Sequence, residues 1–472
     1  MNKSISRNIA AAALMLTCGI TANAQELKSG YFMEGYTYRH MSNPALEVEK
    51  NYIAIPAIGN INAGTQGNVG LATFLYPKGN ELTTFMNSSV DADEFLGKLK
   101  KNNRINANVD LTILSAGFKG FGGYNTIDLS VRSHTSIRLP KGLFEFMKLG
   151  MQGDNSTYVM DDLGVSSSNY AQLAFGHSRD INEKLRVGAK AKLLFGLAHA
   201  SVKMTDMRVD LHEDAWRVRA NGEMNVALKG LTLPTKGETG SEVNKDSEKD
   251  LVDWGEIDHD GFGLSGFGVA FDLGAVYKIN EDWTVSASLL DLGFISWSNN
   301  TKAVTSNKPW EFKGFHNIAV DSELGDDDPN SLDSQLDNLG KDLEDYASFH
   351  RTEQNGSSTD MLGATLTLGA EYKLPVYNRL SFGLLSTTRI QGAYSWTEGR
   401  LSANISPVSW FDAGANVAVS TLGTSFGGII NFNPTGFNFF VGMDYVMSKV
   451  SKQYIPLNNM NMNVSLGMNI VF

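Results

Sequence analysis

The chain has almost no cysteine and no long apolar run beyond its N-terminus. Its single cysteine, Cys18, lies in a segment that we expect to be removed on export, so the mature chain should contain no thiol, disulfide or Cys-ligated metal. No later segment approaches the roughly 18 to 20 continuous apolar residues of a membrane helix. These absences exclude a helical transporter. If the chain crosses a membrane, it does so with strands.

Positive charge and catalytic motifs are also scarce. Lys and Arg number 40 against 51 Asp and Glu, and the net charge of -11 argues against binding nucleic acid. The 8 His residues are scattered, and no His-Glu-x-x-His metal motif, phosphate-binding glycine loop or Gly-x-Ser-x-Gly nucleophile turn is present. The sequence therefore predicts no cofactor.

The N-terminus predicts export from the cytoplasm. A basic start is followed by an apolar run from Ile9 to Ile20 and by a small-residue cleavage site, Ala22-Asn23-Ala24. We expect residues 1–24 to be a signal peptide. Acylation of Cys18 is the weaker alternative, because Thr17 is an unusual residue before an acylated cysteine.

The C-terminus alternates between apolar and polar or small side chains. The apolar positions are Met460, Met462, Val464, Leu466, Met468, Ile470 and Phe472. A strand with this pattern has one apolar face, which in a membrane barrel would face lipid. Outer-membrane barrels characteristically end on an aromatic residue, which their assembly machinery reads. We therefore expect an outer-membrane location, with Phe472, Ile470 and Met468 as the assembly signal.

Longer alternating runs fill the body of the chain. From Leu185 to Leu197 the odd positions are apolar and the even ones include cations, and the run from Phe267 to Ile279 alternates around an acidic position. Such runs are long for soluble strands. About fourteen strands of this kind predict an all-β, transmembrane, antiparallel up-and-down barrel. The candidate lumen-facing residues are Arg186, Lys190, Lys192 and Asp272.

The turns between these runs are related to one another. Arg179 to Leu185 and Tyr277 to Trp283 share the pattern Ile-Asn-Glu followed by a charged residue and a large apolar one. Short polar turns of this kind are expected at the periplasmic rim of a barrel.

Segments without alternation divide the chain. Residues 25–50 precede the first strand and are predicted to form a plug-like segment, whereas residues 51–472 are predicted to form the barrel. Inserts, some of them short helices, are expected near residues 78–103, 140–169, 229–266 and 299–358.

The last insert is strongly acidic. Its leucines fall on one helical stripe, formed by Leu332, Leu336, Leu339 and Leu343. A solvated loop with one docked helix is the preferred interpretation, and binding of calcium or of a partner is the alternative.

One group of residues has a spacing similar to that of outer-membrane lipid A deacylases. His199 and Ser201 continue the apparent lipid-side register of Leu193, and Glu213 follows. A Ser nucleophile needs a neighbouring base, and the base needs an orienting carboxylate. The pair His-x-Ser arises easily by chance, and the rest of the chain does not resemble those enzymes. Rim residues near an extracellular turn are the preferred interpretation.

A second group resembles half of a calcium loop. Glu256, Asp258 and Asp260 place acidic oxygens at positions one, three and five, with Gly261 at six. The bidentate Glu of position twelve is replaced by Phe267. An ordinary acidic loop without metal is the preferred interpretation.

Four motifs carry a resemblance to a known family. They are Asn43-Pro44-Ala45, Asp93-Glu94-Phe95-Leu96, Leu139-Pro140-Lys141-Gly142-Leu143-Phe144 and Leu185-Arg186-Val187-Gly188-Ala189-Lys190. With them, nearly the whole mature chain resembles a Bacteroidota family of outer-membrane barrels of unknown function. The first motif is more distantly similar to the long-chain fatty-acid channel superfamily, in which an N-terminal segment plugs a fourteen-stranded barrel. The resemblance implies a plug containing Asn43, Pro44 and Ala45, but no settled substrate.

Three functional hypotheses follow. The first is passive uptake or export of a small solute, with a hydrophobic ligand among the candidates. The second is a structural or secretion-accessory barrel that binds a partner through its long acidic loops. The third and weakest is a surface lipid hydrolase, and we expect no enzyme. In each case the expected surroundings are outer-membrane lipid, lipopolysaccharide and the barrel-assembly machinery.

Overall fold

The protein is a closed β-barrel with a segment of its own chain inside. The computed structural model describes residues 27–48, 50–78, 81–152, 155–243, 246–306, 309–313, 334, 348–445 and 462–472. The predicted signal peptide and the acidic leucine stripe lie outside these residues.

The strands within the described part of the chain are numbered in chain order. They are β1 Tyr52–Ala54, β2 Asn60–Gly67, β3 Leu75–Lys78, β4 Glu81–Thr84, β5 Asn102–Gly120, β6 Gly123–Pro140, β7 Asn155–Val159, β8 Gly164–Asp180, β9 Leu185–His212, β10 Trp216–Leu228, β11 Leu231–Thr232, β12 Asp258–His259, β13 Gly266–Lys278, β14 Trp283–Thr305, β15 Trp310–Phe312, β16 Phe349–Met361, β17 Ala364–Lys373, β18 Leu380–Ile390, β19 Trp396–Val408, β20 Phe411–Ser420, β21 Gly423–Phe432, β22 Asn438–Tyr445 and β23 Met462–Val471.

Helices are few and short. They are α1 Arg39–Ser42, α2 Leu71–Phe74, α3 Ala92–Gly97, α4 Lys141–Leu149 and α5 Lys236–Thr239, with 3-10 turns at Lys28–Gly30, Asp246–Glu248 and Gly392–Tyr394. In the described residues, none of these helices has the length and apolar character needed to cross a membrane.

Fourteen antiparallel positions close the barrel. β1 and β2 share the first position, because both pair with β5 on one side and with β23 on the other. The order then runs β5, β6, β8, β9, β13, β14, β17, β18, β19, β20, β21, β22 and β23. Each strand pairs with its neighbour along the chain, so the predicted up-and-down barrel is confirmed.

The two faces of the wall differ as the sequence alternation predicts. In β23, Met462, Leu466 and Ile470 are exposed on the outside, whereas Ser465 and Asn469 are buried inside. β17 and β18 repeat this pattern, with exposed Leu366, Leu368, Phe382 and Leu384. An apolar exterior around a polar interior is the arrangement of an outer-membrane barrel, and the protein is located there.

The repeated turns share one local structure. Asn182 Oδ1 accepts hydrogen bonds from the backbone N–H groups of Lys184 and Leu185, at 2.9 and 2.8 Å. Asn280 Oδ1 accepts from Asp282 and Trp283 at 3.0 and 2.8 Å. An Asn side chain that bonds the backbone ahead of it replaces part of the turn's own hydrogen bonding.

Exposed aromatic residues surround this short-turn end of the barrel. They include Phe121, Tyr277, Trp283, Tyr377, Trp410 and Phe472. Aromatic girdles lie at the membrane interface, and in outer-membrane barrels the short turns are periplasmic. We therefore assign this end to the periplasm and the long inserts to the outside of the cell.

The wall is tallest on one side. β9 has 28 residues, which at about 3.3 Å per residue gives a strand of roughly 90 Å. Beyond the barrel, its upper half pairs with β7 and β10, and β10 pairs in turn with the upper half of β14. The segment Trp216–Leu228, a candidate strand in the sequence, therefore lies above the barrel.

The inserts near the first strands form a compact group on the outer side. We call it the cap cluster, and it consists of Val69, Phe74, Phe85, Val90, Phe95, Leu96, Leu99 and Phe144. The rings of Phe85 and Phe95 stack with centroids 4.4 Å apart. The cap cluster joins α3 and α4, which belong to different inserts, into one apolar core.

Candidate functional site

Residues 27–48 lie inside the barrel, and we call this segment the plug. Its large side chains are enclosed by the wall: Tyr31 and Tyr38 are each 1% exposed. One group of buried plug residues packs against Tyr52, Phe440 and Val471 of the wall, on strands from both ends of the barrel sequence. Residues 27–48 thus occupy the lumen.

Glycines in the wall make room for the plug. A Cβ atom added at Gly188 would lie 2.4 Å from the carbonyl carbon of Pro44, and one added at Gly274 would lie 2.1 Å from Asn43 Oδ1. A Cβ at Gly383 would lie 2.2 Å from the ring of Phe32. These positions can hold only glycine while the plug is in place.

Asn43 fixes the bend of the plug. Its side-chain amide donates to the Tyr31 hydroxyl at 3.1 Å and to the carbonyl oxygen of Ala287 at 3.2 Å. Its Oδ1 accepts from the backbone N–H of Ala45 at 2.9 Å. The Asn43-Pro44-Ala45 motif is therefore the part of the plug that contacts β13 and β14 most closely.

A ring of hydrogen bonds attaches His40 to the wall. Lys190 Nζ donates to Asp128 Oδ2 and lies 2.9 Å from His40 Nδ1. His40 Nε2 lies 2.8 Å from the Tyr52 hydroxyl, which lies 2.7 Å from Ser115 Oγ. Ser115 donates to Asp128 Oδ1 and closes the ring. Since the Lys190 ammonium can only donate, His40 Nδ1 accepts, and the imidazole is neutral with its proton on Nε2.

A second attachment holds the start of the plug. Lys28 Nζ lies 3.4 Å from Glu398 Oε1, and Ser29 donates to Asp444. Arg400 joins the two carboxylates, at 3.1 Å from Glu398 and 2.7 Å from Asp444. The plug therefore completes a buried charge network that would otherwise line an open lumen.

Asp291 contacts cationic side chains from several strands inside the lumen. We call this group of contacts the charge bridge. An irregularity in the β13–β14 pairing places Asp291 in the left-handed region, with φ of 58°, and turns its carboxylate inward. There it lies 2.7 Å from Lys192 Nζ, 3.7 Å from Arg132 Nη1 and 3.3 Å from Arg389 Nη1. Arg132 and Arg389 belong to β6 and β18, so the charge bridge ties separate parts of the wall together across the lumen.

Above the plug is a polar cavity, which we call the vestibule. The space inside it that water molecules can occupy is ≈ 80 Å³. Its lining is Lys28, Tyr31, Ser42, Asn106, Asn108, Asp110, Arg132, His134, Ser136, Leu290, Asp291, Thr365, Thr367, Leu385, Thr387, Arg389, Gln391, Tyr394 and Trp396. The plug and the charge bridge both contribute to this lining.

The four residues that the sequence predicts to face the lumen contact different partners. Lys190 belongs to the His40 ring, and Lys192 lies 2.6 Å from Asp272 next to the charge bridge. Asp272 also accepts the backbone N–H of Asp291 at 2.8 Å. Arg186 lies near the periplasmic turn, 3.0 Å from Asp180. The sequence showed no sign of His40, Asp128 or Asp291, because their partners are far away along the chain.

The hydrolase candidates are not brought together. His199 is buried and faces the interior, because a bulge between Asn169 and Tyr170 in the β8–β9 pairing shifts the register. Glu213 is exposed at the hairpin tip, roughly 45 Å further along the strand at 3.3 Å per residue. Ser201 pairs with Ser166 on the adjacent strand.

His199 instead contacts two other residues. Its Nδ1 lies 3.0 Å from Ser168 Oγ and its Nε2 lies 3.2 Å from Asp360 Oδ2. The order resembles that of a catalytic triad, but the Asp360 side chain is 48% exposed. The orienting carboxylate of a triad is buried. The contact joins β16 to β9.

The calcium candidates lie in an exposed loop. Glu256, Asp258 and Asp260 are all exposed, and the Asp258 carboxylate accepts from the backbone N–H of His259. In the described part of the chain, no three His, Cys, Asp or Glu side chains come together in a way that could hold a metal ion.

The C-terminal candidates lie at the periplasmic end of the last strand. Ile470 and Phe472 are exposed on the outer face, and Met468 lies on the same face. The backbone of Phe472 bonds to Asn51, next to the first strand. The residues of the expected assembly signal therefore lie at the seam where the barrel closes.

Comparison with protein families gives a match over most of the chain. The model of a family of unknown function, DUF5723, matches residues 44–444. The chain belongs to this family. The matched part of this DUF5723 protein runs from Pro44 in the plug to Asp444 in β22, so it includes the charge bridge and nearly all of the wall. No curated protein matches the chain.

Solved barrels are similar to this DUF5723 protein at low sequence identity. The Ralstonia pickettii toluene transporter TbuX is 10% identical, with 94% of this chain and 100% of that chain covered and a TM-score of 0.42. A Pseudomonas aeruginosa FadL homologue is 10% identical, with 96% and 98% covered and a TM-score of 0.37. The Pseudomonas putida toluene transporter TodX is 10% identical, with 91% of each chain covered and a TM-score of 0.39. Likenesses of this strength give no information about the solute of this chain.

Proposed function

We propose that this protein is a passive outer-membrane channel for a small solute, closed by its own plug. The observation that carries the proposal is the way the plug is held. Its polar attachments include the His40 ring, the amide of Asn43 and the pair of Lys28 with Glu398. Hydrogen bonds inside a protein replace bonds to water at a small net gain, so these polar attachments can be exchanged for water at a lower cost than apolar contacts of the same extent.

The size of the barrel supports this function. Barrels of about eight strands are filled by their own side chains, whereas those of about sixteen leave an aqueous channel. A barrel with 14 strands lies between these limits, so removing a segment from its lumen should leave a path for a small molecule.

The charge bridge acts as a second restriction. Asp291 would still connect Lys192, Arg132 and Arg389 after the plug moves. Once the plug has moved, the charge bridge would limit the size of the solute that passes, while the plug remains the main barrier to conductance.

The decisive experiment expels the plug by steric means. We replace Gly188 and Gly274 by Leu and reconstitute the full chain into liposomes. Because both added side chains collide with Pro44 and Asn43, we expect faster swelling in sugars and amino acids and a raised single-channel conductance. A plug deletion of residues 27–48 should give the same result. Toluene uptake is measured in parallel, because a hydrophobic solute is among the sequence-based candidates.

The matched control is Gly399→Leu. Gly399 lies in β19, and an added Cβ there meets no atom within 4 Å. It should leave conductance unchanged. If the double glycine variant and the deletion both fold, as judged by heat-modifiable gel mobility, and conduct no more than the native chain, passive transport is ruled out. A partner-binding barrel with long outer loops would then be the better hypothesis.

A further inference from the structure

Buried polar groups of the vestibule lack hydrogen bonds within the described part of the chain, among them Thr387, Asn106 and one oxygen of Asp110. Thr387 is 1% exposed and Asn106 is 6% exposed, and both line the cavity. In the described structure, Thr387 Oγ1 and Asn106 Oδ1 have no hydrogen-bond partner. A buried polar atom without a partner is costly, so these positions favour a ligand that brings hydrogen-bond donors.

The charged groups of the vestibule are already paired. Arg132 faces Asp110 at 3.6 Å and Asp291 at 3.7 Å. Arg389 bonds to Thr365 and lies beside Asp291, and Lys28 pairs with Glu398. A charged ligand would have to break a buried pair and leave its other member uncompensated. The lining therefore favours a neutral ligand.

An apolar ligand also fits poorly. It would take water from the hydroxyl and amide groups of the lining without giving them a new partner, and a buried polar group without a partner is costly. Hydroxyls and amides of Asn108, Ser136, Thr367 and Gln391 continue the polar lining. Rings of Tyr394 and Trp396 lie in the same lining and offer surfaces for the C–H groups of a ring-shaped solute.

From these observations we infer that the vestibule binds a small neutral solute rich in hydroxyl groups, of the sugar or polyol class. The inference deepens the proposed channel function and rests on it, because it names the solute that would wait above the plug. The hydroxyl groups of such a solute would donate to Thr387 and Asn106, and no existing ion pair would need to break.

The test measures binding to the full chain in detergent micelles by saturation-transfer NMR and calorimetry. The probes are glucose and maltose for the proposed class, choline and inorganic phosphate for charged solutes, and toluene for apolar ones. We expect binding of the sugars and none of the other three. Thr387→Val and Asn106→Leu should each weaken sugar binding about 3- to 10-fold, the effect of one lost neutral hydrogen bond.

Thr388→Val is the matched control. Thr388 is the next residue of β18, and its hydroxyl lies 3.2 Å from that of Thr397, on the opposite face from the vestibule. It should not change sugar binding. Folding of each variant is checked by heat-modifiable gel mobility, and the selectivity of the native chain tests the inference without any variant.

The outcomes separate this inference from the channel proposal. Preferential binding of choline, phosphate or toluene overturns the sugar or polyol assignment, as does sugar binding that Thr387→Val leaves unchanged. If the plug-expelled variants conduct but no sugar binds, the channel stands and the solute class is wrong. If sugars bind at Thr387 but the plug-expelled variants do not conduct, the solute class stands and the channel proposal fails.

Discussion

The plug and the cap cluster are both enclosed segments, but they are held in opposite ways. The cap cluster is an aromatic and aliphatic core in which Phe85, Phe95 and Phe144 contact one another. The plug also packs apolar side chains against the wall, as Tyr36 does against Phe440, but amides, hydroxyls and charges add many polar attachments, which the apolar side chains of the cap cluster cannot form. Apolar packing has no direction and is lost only when the segment unfolds, whereas each polar attachment can be exchanged for water.

The difference shows which part can move without unfolding. Leaving the lumen would expose apolar plug side chains such as Phe32 and Tyr36, but also many polar groups of the plug and of the wall that water would hydrate. Opening the cap cluster would expose several aromatic rings, for which water gives no compensation. We conclude that the plug is suited to leave its seat and the cap cluster is suited to stay.

The largest loss of stability is expected from a substitution in the cap cluster. Phe95→Ala removes a fully buried ring and should lower local stability by about 3–5 kcal/mol. Hydrogen exchange over residues 69–99 should become much faster, while liposome swelling stays at the native rate.

The control for this change is Phe262→Ala, since Phe262 is 87% exposed in an outer loop. It should alter neither exchange nor swelling. An increase of swelling in Phe95→Ala would show that the cap cluster, and not the plug alone, closes the channel.

A somewhat smaller effect is expected for the His40 ring. Lys190→Met leaves the Asp128 carboxylate buried without its cation and should weaken plug docking by about 3 kcal/mol, near the low end for a broken buried pair because water can enter the lumen. Hydrogen exchange of residues 27–48 and solute-driven swelling should both rise.

Two companion variants sharpen this prediction. Lys184→Met changes an exposed lysine at the nearby turn and should have no effect. The double variant Lys190→Met with Asp128→Leu removes both charges and should restore much of the docking. Equal exchange in the single and double variants would contradict a docking role for the ion pair.

The smallest loss of stability is expected from a substitution in an outer loop. Hydrogen bonds from the Arg351 guanidinium, and then from the backbone of Thr235, hold the pKa of the Glu238 carboxyl below its usual range. Because the pKa of Glu238 is lowered in the folded loop, its ionised carboxylate stabilises the loop fully above the ordinary Glu pKa. This stabilisation is lost as pH falls through the pKa of the folded loop. Since Glu238 is largely exposed, Glu238→Gln should cost less than about 0.5 kcal/mol.

The measurement is exchange of residues 229–265 between pH 7 and pH 3. The native loop should loosen slightly at the acidic end, and Glu238→Gln should be loosened already at pH 7. Glu242→Gln, an exposed change in the same loop, should match the native chain. A change in hydrogen exchange of the plug as large as that of the loop would contradict the assignment of the pH effect to Glu238.

Local features of the barrel were predictable from sequence. Alternation in β9, β13 and β23 identifies lipid and lumen faces, because side chains on a strand point to opposite sides. The turns at Asn182 and Asn280 were visible as a repeated pattern. The same alternation predicts that the side chains of Lys190 and Lys192 face the lumen.

Features that depend on pairing between distant strands were not predictable. A single extra residue near Leu197 turns His199 from the lipid side to the interior, because a shift of one residue reverses the face of every side chain. The charge bridge depends on the left-handed backbone of Asp291, which no local pattern of that segment indicates. The ring around His40 joins the plug to β1, β5, β6 and β9, and no local pattern relates these residues.

The seat of the plug also sets an order of events in biogenesis. Residues 27–48 come before every strand in the chain, yet Thr37 bonds to Asn438 and Tyr38 bonds to Asn469 on the last two strands. The first residues of the mature protein must therefore wait until the last strand has joined the first. A newly inserted barrel therefore cannot reach its fully plugged form before its last two strands are in place.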